Sequence, residues 1–124
     1  MGKAIADDVL DAALNYLKTN GGTLHVCSAQ PTTYTEAHVT YMLAEVAIDS
    51  DDFTGPADGD TSGRKIAINE QADITVTNTG AATHVAITNG SDAWLLVTTC
   101  TEQQLTAANT VTVPTFNDEI LDPA

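Results

Sequence analysis

The sequence predicts a mainly β protein, an antiparallel sandwich of about seven or eight short strands behind one N-terminal α-helix. Three observations carry that expectation. The spacing of apolar residues changes from helical to alternating at Thr23. All 20 threonines lie at or after Thr19, and threonine is β-branched and suits a half-wet pleated surface. Turn pairs such as Thr79-Gly80 and Asn89-Gly90 then punctuate the chain at short intervals.

The helix is expected over residues 3–19. Ile5, Ala6, Val9, Leu10, Ala12, Ala13, Leu14, Tyr16 and Leu17 share one broad arc of the helical wheel. Asp7, Asp8, Asp11, Asn15 and Lys18 fill the remainder, with acids early and the lysine late, as the helix dipole favours. Asn20-Gly21-Gly22 is expected to supply a left-handed stop. The apolar arc is wider than the ~100° stripe of an ordinary surface helix. That width fits either a helix sunk deeply into its own fold or one shared with a neighbouring subunit, and in the second case part of Ile5, Val9, Leu10, Leu14 and Leu17 lies at the interface.

From Thr23 the side chains alternate. Thr23–Ser28 reads as a strand with Leu24, Val26 and Ser28 on one face, and His25 and Cys27 on the other. Gln30-Pro31-Thr32-Thr33 reads as a turn or exposed loop, because proline withdraws a ladder donor. Residues 38–48 alternate through Met42, Ala44, Val46 and Ile48 and are assigned to a strand, although Met-Leu-Ala-Glu also suits a helix. Residues 49–63, with five aspartates, three glycines and one proline, are expected to be the longest loop. Strands follow at Arg64–Asn69, Asp73–Asn78, Thr83–Asn89, Ala93–Cys100, Thr110–Val113 and Phe116–Leu121. Trp94, Phe53 and Phe116 are the expected large core pieces. Jelly-roll and immunoglobulin-like connectivities both fit.

The 124 residues suit one domain spanning 1–124, long enough to bury a core without disulfides or metal. Four Lys+Arg against 17 Asp+Glu give a net charge of −13, which disfavours a nucleic-acid partner that would need clustered cations. No apolar run approaches the roughly 18 residues of a membrane span, so no membrane role is expected. Asp7, Asp8 and Asp11 interrupt the place where a signal peptide would be apolar, so the chain is expected to be made in a cytoplasm. Cys27 and Cys100 are too few for a disulfide framework and read as small hydrophobes, although they could pair if their strands lay side by side.

The sequence carries few motifs with chemistry. Asp58-Gly59-Asp60-Thr61-Ser62-Gly63 opens like a calcium loop, with oxygen ligands at alternate places and glycine sixth. The seventh place is Arg64 and the twelfth is Asn69 instead of glutamate, so a solvated acidic turn is favoured. If a cation binds, Asp58 and Asp60 are the candidate ligands. His25-x-Cys27, with His38 and His84 elsewhere, lacks the paired tight spacing of zinc sites, and no further residue supports a thiol nucleophile. No G-x-S-x-G or phosphate-cradling loop is present. No enzyme activity, catalytic residue, resident metal or cofactor is expected. Arg64 and Lys65, directly after the acidic loop, read either as its ion-pair partners or as a docking pair for an acidic partner.

The layout resembles small structural proteins of tailed bacteriophages. The phrases that carry the resemblance are the Gly-Gly stop before a strand leading into SAQPTTYTEA, then GPADGDTSGRKIAI, TNTGAATHVAITNGSDAWLLVTTC and LTAANTVTVPTFNDEILDPA. The resemblance implies a virion component, a capsid cement or decoration protein that bridges capsomers as a dimer or trimer. Its implied partners are the major capsid protein and copies of itself. A tail or head–tail connector component is the alternative within virions, and a cation- or carbohydrate-binding sandwich module is the alternative outside them. Exposed threonine-rich edges and a C-terminal tail over 118–124 would serve assembly.

Overall fold

The computed structural model describes residues 5–121. Among them are nine strands in antiparallel sheets and one N-terminal helix, the mainly β architecture expected. Helix α1 spans Asp7–Asn20, and the strands are β1 (Thr23–Cys27), β2 (Met42–Ala47), β3 (Phe53–Asp58), β4 (Arg64–Ile68), β5 (Gln71–Thr75), β6 (Gly80–Thr88), β7 (Trp94–Leu105), β8 (Thr110–Val113) and β9 (Phe116–Ile120). A four-stranded sheet runs β2-β1-β6-β7, a three-stranded sheet β3-β4-β9, and a two-stranded ribbon β5-β8. All three, with α1, contribute to one apolar core: Leu14 and Leu17 meet Leu24, Val26, Ile66, Ile68, Ile74, Ile87 and Val113.

The helix starts later than expected. Ala6 is extended (φ −60°, ψ 142°), so Ile5 precedes the helix, and residues 3 and 4 lie outside the described residues. The helix end also differs from expectation. Gly21 is extended (φ −62°, ψ 117°) instead of left-handed, and its N–H bonds the Leu17 carbonyl at 2.8 Å. The glycine pair serves close approach instead. A Cβ on Gly22 would stand 2.6 Å from the Asn89 carbonyl oxygen, and one on Gly21 would stand 2.9 Å from the Phe53 ring. The helix terminus is thereby pressed against β3 and the β6–β7 turn.

Two further segments correct the sequence reading. Residues 49–63 are not one loop: Asp49 and Asp52 form a reciprocal cap around a short turn at Ser50–Asp52, and Phe53 then opens β3 against β4. Burial of Phe53 decides this, and Gly55-Pro56 falls at the register shift of an edge strand, where proline is tolerated. Residues 36–40 are not strand but a π-helical turn, closed by Tyr41 N–H to the Glu36 carbonyl at 2.8 Å, and β2 begins only at Met42. Thr32 anchors this turn by giving both its N–H and its hydroxyl to Glu36 Oε1. Pro31, expected on an exposed loop, is fully buried.

Among the aromatics, Phe53 is in the core, Phe116 is partly buried against it, and Trp94 is about half exposed at 47%. The expected C-terminal tail is strand as far as Ile120, where Asp118 pairs with Ile66 of β4, and 122–124 lie outside the described residues. The β6–β7 hairpin does form at Asn89-Gly90, but through a longer turn. Asn89 Oδ1 accepts the N–H groups of Ser91, Asp92 and Ala93, and Gly90 takes φ +82°.

Candidate functional site

Strand β1 is buried on both faces. Leu24 and Val26 point into the main core, while His25 and Cys27 lie on the opposite face of the four-stranded sheet. Residues 28–41 fold back over that second face, where Ala37 and Tyr41 pack with Cys27, Ala86 and Val97. Antiparallel pairing places Glu45 of β2 directly beside His25, and the π-helical turn brings His38 over both. These three side chains have their ligating atoms within 4.8 Å of one another.

One carboxylate oxygen is shared. Glu45 Oε2 lies 2.9 Å from His25 Nδ1 and 2.9 Å from His38 Nδ1. The His38 contact has hydrogen-bond geometry. The His25 contact does not, so Nδ1 of a completely buried ring has no hydrogen-bond partner. The other nitrogen of His25, Nε2, is 2.9 Å from Thr88 Oγ1, whose oxygen also accepts the Gly90 N–H at 3.2 Å. Tyr34 stacks on His38 at 5.3 Å and meets His25 edge-on at 6.5 Å, closing one wall. His38 and Glu45 keep partial exposure, 43% and 27% of their side chains, so the cluster opens to solvent on that side.

Burial holds the His25 imidazole below its ordinary value; the Glu45 carboxylate pulls the other way and His38 adds to the lowering. Burial likewise pushes the Cys27 thiol up to about 12, with the charges of Glu45 and Cys100 adding to it. A thiol held protonated at neutral pH is a poor nucleophile, so the Cys27 side chain contributes packing. Both cysteines are free: Cys27 is buried on β1, and Cys100 is exposed on β7, with β6 between them.

The residues singled out in the sequence fall elsewhere. Leu10, Leu14 and Leu17 are buried in the chain's own fold, so they are not available to a neighbour; Ile5 and Val9 face outwards. Arg64 grips Asp11 and Asp58, and Lys65 pairs with Asp60. The two candidate cation ligands, Asp58 and Asp60, are thus each turned to a cation of β4, and the Asp60 N–H is further held by Glu119. Sequence reasoning had His25 and His38 in view but not Glu45. The signal available was the alternation of β2, which sets Glu45 on the same face as His25 once β1 and β2 pair. An apolar groove of about 240 Å³ runs between β7 and β8, lined by Val85, Leu105, Val111, Val113 and Pro114 with Cys100 at its rim.

No helix among the described residues is long and apolar enough to cross a membrane. No protein-family profile, curated protein or solved structure matches this chain.

Proposed function

We propose that the chain is a non-enzymatic structural protein of a tailed-bacteriophage virion, a capsid cement or decoration protein that reinforces the head by bridging capsomers. The observation that carries this reading is the outer face of α1. Val9 and Tyr16 are 61% and 62% exposed, and the exposed Ala12 and Ala13 lie between them on the same side of the helix. A helix whose inner leucines already fill the core retains a second apolar stripe that water covers in the isolated chain. Ile5, ahead of the helix, is a further exposed apolar side chain, at 38% exposure. The occupant that suits it is the same stripe of a second copy, since an isologous pairing of apolar helix faces needs no charge complement between acidic chains.

The edge of the four-stranded sheet supports attachment to a shell. Strand β2 has its outer edge occupied, because Thr77 and Asn78 donate their N–H groups to the Leu43 carbonyl. Strand β7 is the other edge, and it carries one charge, Glu102, and no proline. Six consecutive residues, Thr99–Gln104, are exposed on both of its faces. Such an edge offers backbone donors and acceptors to a strand of the major capsid protein.

Co-sedimentation of the purified protein with empty phage heads, beside light scattering of the protein alone, tests the proposal. Saturable binding at a fixed copy number per capsomer, by a protein that is dimeric or trimeric in solution, is the expected result. Absence of binding to heads removes the cement role and directs the same assay to tails and head–tail connectors.

A further inference from the structure

We propose that His25, His38 and Glu45 form a binding site for one divalent transition-metal ion of the zinc class, with a solvent-facing position left open. The site is independent of the virion role and rests on three features of the cluster.

The first is the donor set. Two imidazoles and one carboxylate are what zinc sites with three protein ligands use, and imidazole selects zinc, nickel or copper over calcium and magnesium. The second is convergence. Both ring nitrogens approach the same oxygen, Glu45 Oε2, at 2.9 Å, and all three atoms lie within 4.8 Å. Ligand atoms around a tetrahedral zinc stand about 3.3 Å apart, given metal–ligand bonds of about 2.0–2.1 Å. Both nitrogen–oxygen distances need to open by about 0.4 Å, and the two ring nitrogens, within 4.8 Å of each other, need to settle at the same spacing.

The third is the setting of His25 Nδ1. It is completely buried, faces the carboxylate, and has no hydrogen bond. A buried imidazole nitrogen 2.9 Å from a carboxylate oxygen needs either its own proton or a bound cation between the two, and an ion shared with His38 supplies the second. Thr88 holds the remote Nε2 at 2.9 Å, the kind of outer contact that fixes the orientation of a metal-binding imidazole. Tyr34 positions the His38 ring by stacking, and the exposed side of His38 and Glu45 supplies an entry path.

The experiment uses the full, untagged chain stripped of metal with a chelator. Calorimetric titration with ZnCl2 is expected to give one ion per chain, and Co2+ is expected to develop the visible absorption of a low-coordinate nitrogen–oxygen site. His38→Ala and Glu45→Gln should each weaken binding by at least the roughly 10- to 100-fold that loss of an outer-shell contact costs, with circular dichroism unchanged. His84→Ala, on β6 and outside the cluster, should bind as the parent does. A second readout needs no variant: Zn2+ should shift the ring proton resonances of His25 and His38 and leave those of His84 in place. The proposal is overturned by absence of saturable binding, by equal binding in the His38 and Glu45 variants, or by displacement of Zn2+ with equimolar Ca2+. The last outcome would place the ion on surface aspartates.

Discussion

Arg64 on β4 holds both carboxylate oxygens of Asp11 on α1, with Nε to Oδ1 at 2.8 Å and Nη2 to Oδ2 at 3.3 Å. Its remaining arm, Nη1, reaches Asp58 Oδ1 at 2.7 Å. One guanidinium therefore ties the helix, the three-stranded sheet and the acidic turn together, and the Asp11 contact raises its pKa further above the ordinary arginine value. The planar fork of arginine makes such a two-point grip possible, and lysine cannot reproduce it.

Arg64→Lys is accordingly expected to lower the thermal midpoint by a few degrees, and Arg64→Ala to lower it further. The loss should shrink as salt is raised, because the Asp58 half of the arrangement is exposed and screened. Thermal melts at low and high ionic strength measure both effects. A midpoint unchanged in Arg64→Ala would mean that apolar packing alone docks α1 on β4.

Gly22 has a different role. The space for its missing Cβ is occupied by backbone, the Asn89 carbonyl oxygen at 2.6 Å and carbon at 2.9 Å, so relief requires the β6–β7 turn to move. Gly22→Ala is expected to destabilise by about 1–3 kcal/mol, the usual range for overpacking a close contact. Denaturant unfolding gives the value directly. Gly22 N–H to the Thr88 carbonyl (2.8 Å) and Ile48 N–H to the Gly22 carbonyl (3.0 Å) should weaken together, which amide exchange would register.

Asp118 is half-buried on β9, and burial raises its carboxyl above the ordinary aspartate value. A carboxyl raised by folding favours the protonated form in the folded chain, so its ionisation subtracts stability. That penalty is absent below the unfolded value of about 3.9 and complete above the raised folded value. Asp118→Asn should therefore stabilise at pH 7 by a small amount, about 0.5 kcal/mol or less after solvent screening. The gain should disappear at the acid end of the titration. Urea midpoints of the two proteins across the acid range test the sign, and a gain that grows towards low pH would contradict it.

The local signals in the sequence located most of the elements. Thr110–Val113 begins and ends where the alternation does, and Asn89-Gly90 turns the chain between β6 and β7. Failures came where tertiary contacts override local pattern. The aspartates of 49–63 suggested solvent, yet Phe53 has a core site waiting against α1 and β4, and this pulls the segment into the sheet. His38–Tyr41 continues the alternation of β2 but is wound into a π turn, held by Thr32 and Glu36, because the strand partner of β2 ends at Cys27. The His–Glu cluster depends on both facts. Neither the β1–β2 register nor a turn that returns over the sheet can be read from spacing alone.

The arc of α1 allows the sharpest separation of core from surface. Leu14 is 1% exposed, and Leu14→Ala should cost about 2–5 kcal/mol through the cavity it leaves. Leu10→Asp would place a charge inside the fold and is expected to unfold the chain, which makes it uninformative about assembly. Val9→Asp and Tyr16→Asp act on the opposite side, where exposure above 60% predicts changes in monomer stability within about 0.5 kcal/mol. Each should nonetheless shift the sedimentation equilibrium from oligomer to monomer, because a carboxylate in a helix–helix contact has no cation to meet it. Oligomers that persist in the Val9→Asp, Tyr16→Asp double variant would exclude the stripe as the contact and leave the open edge of β7 as the surface through which copies associate.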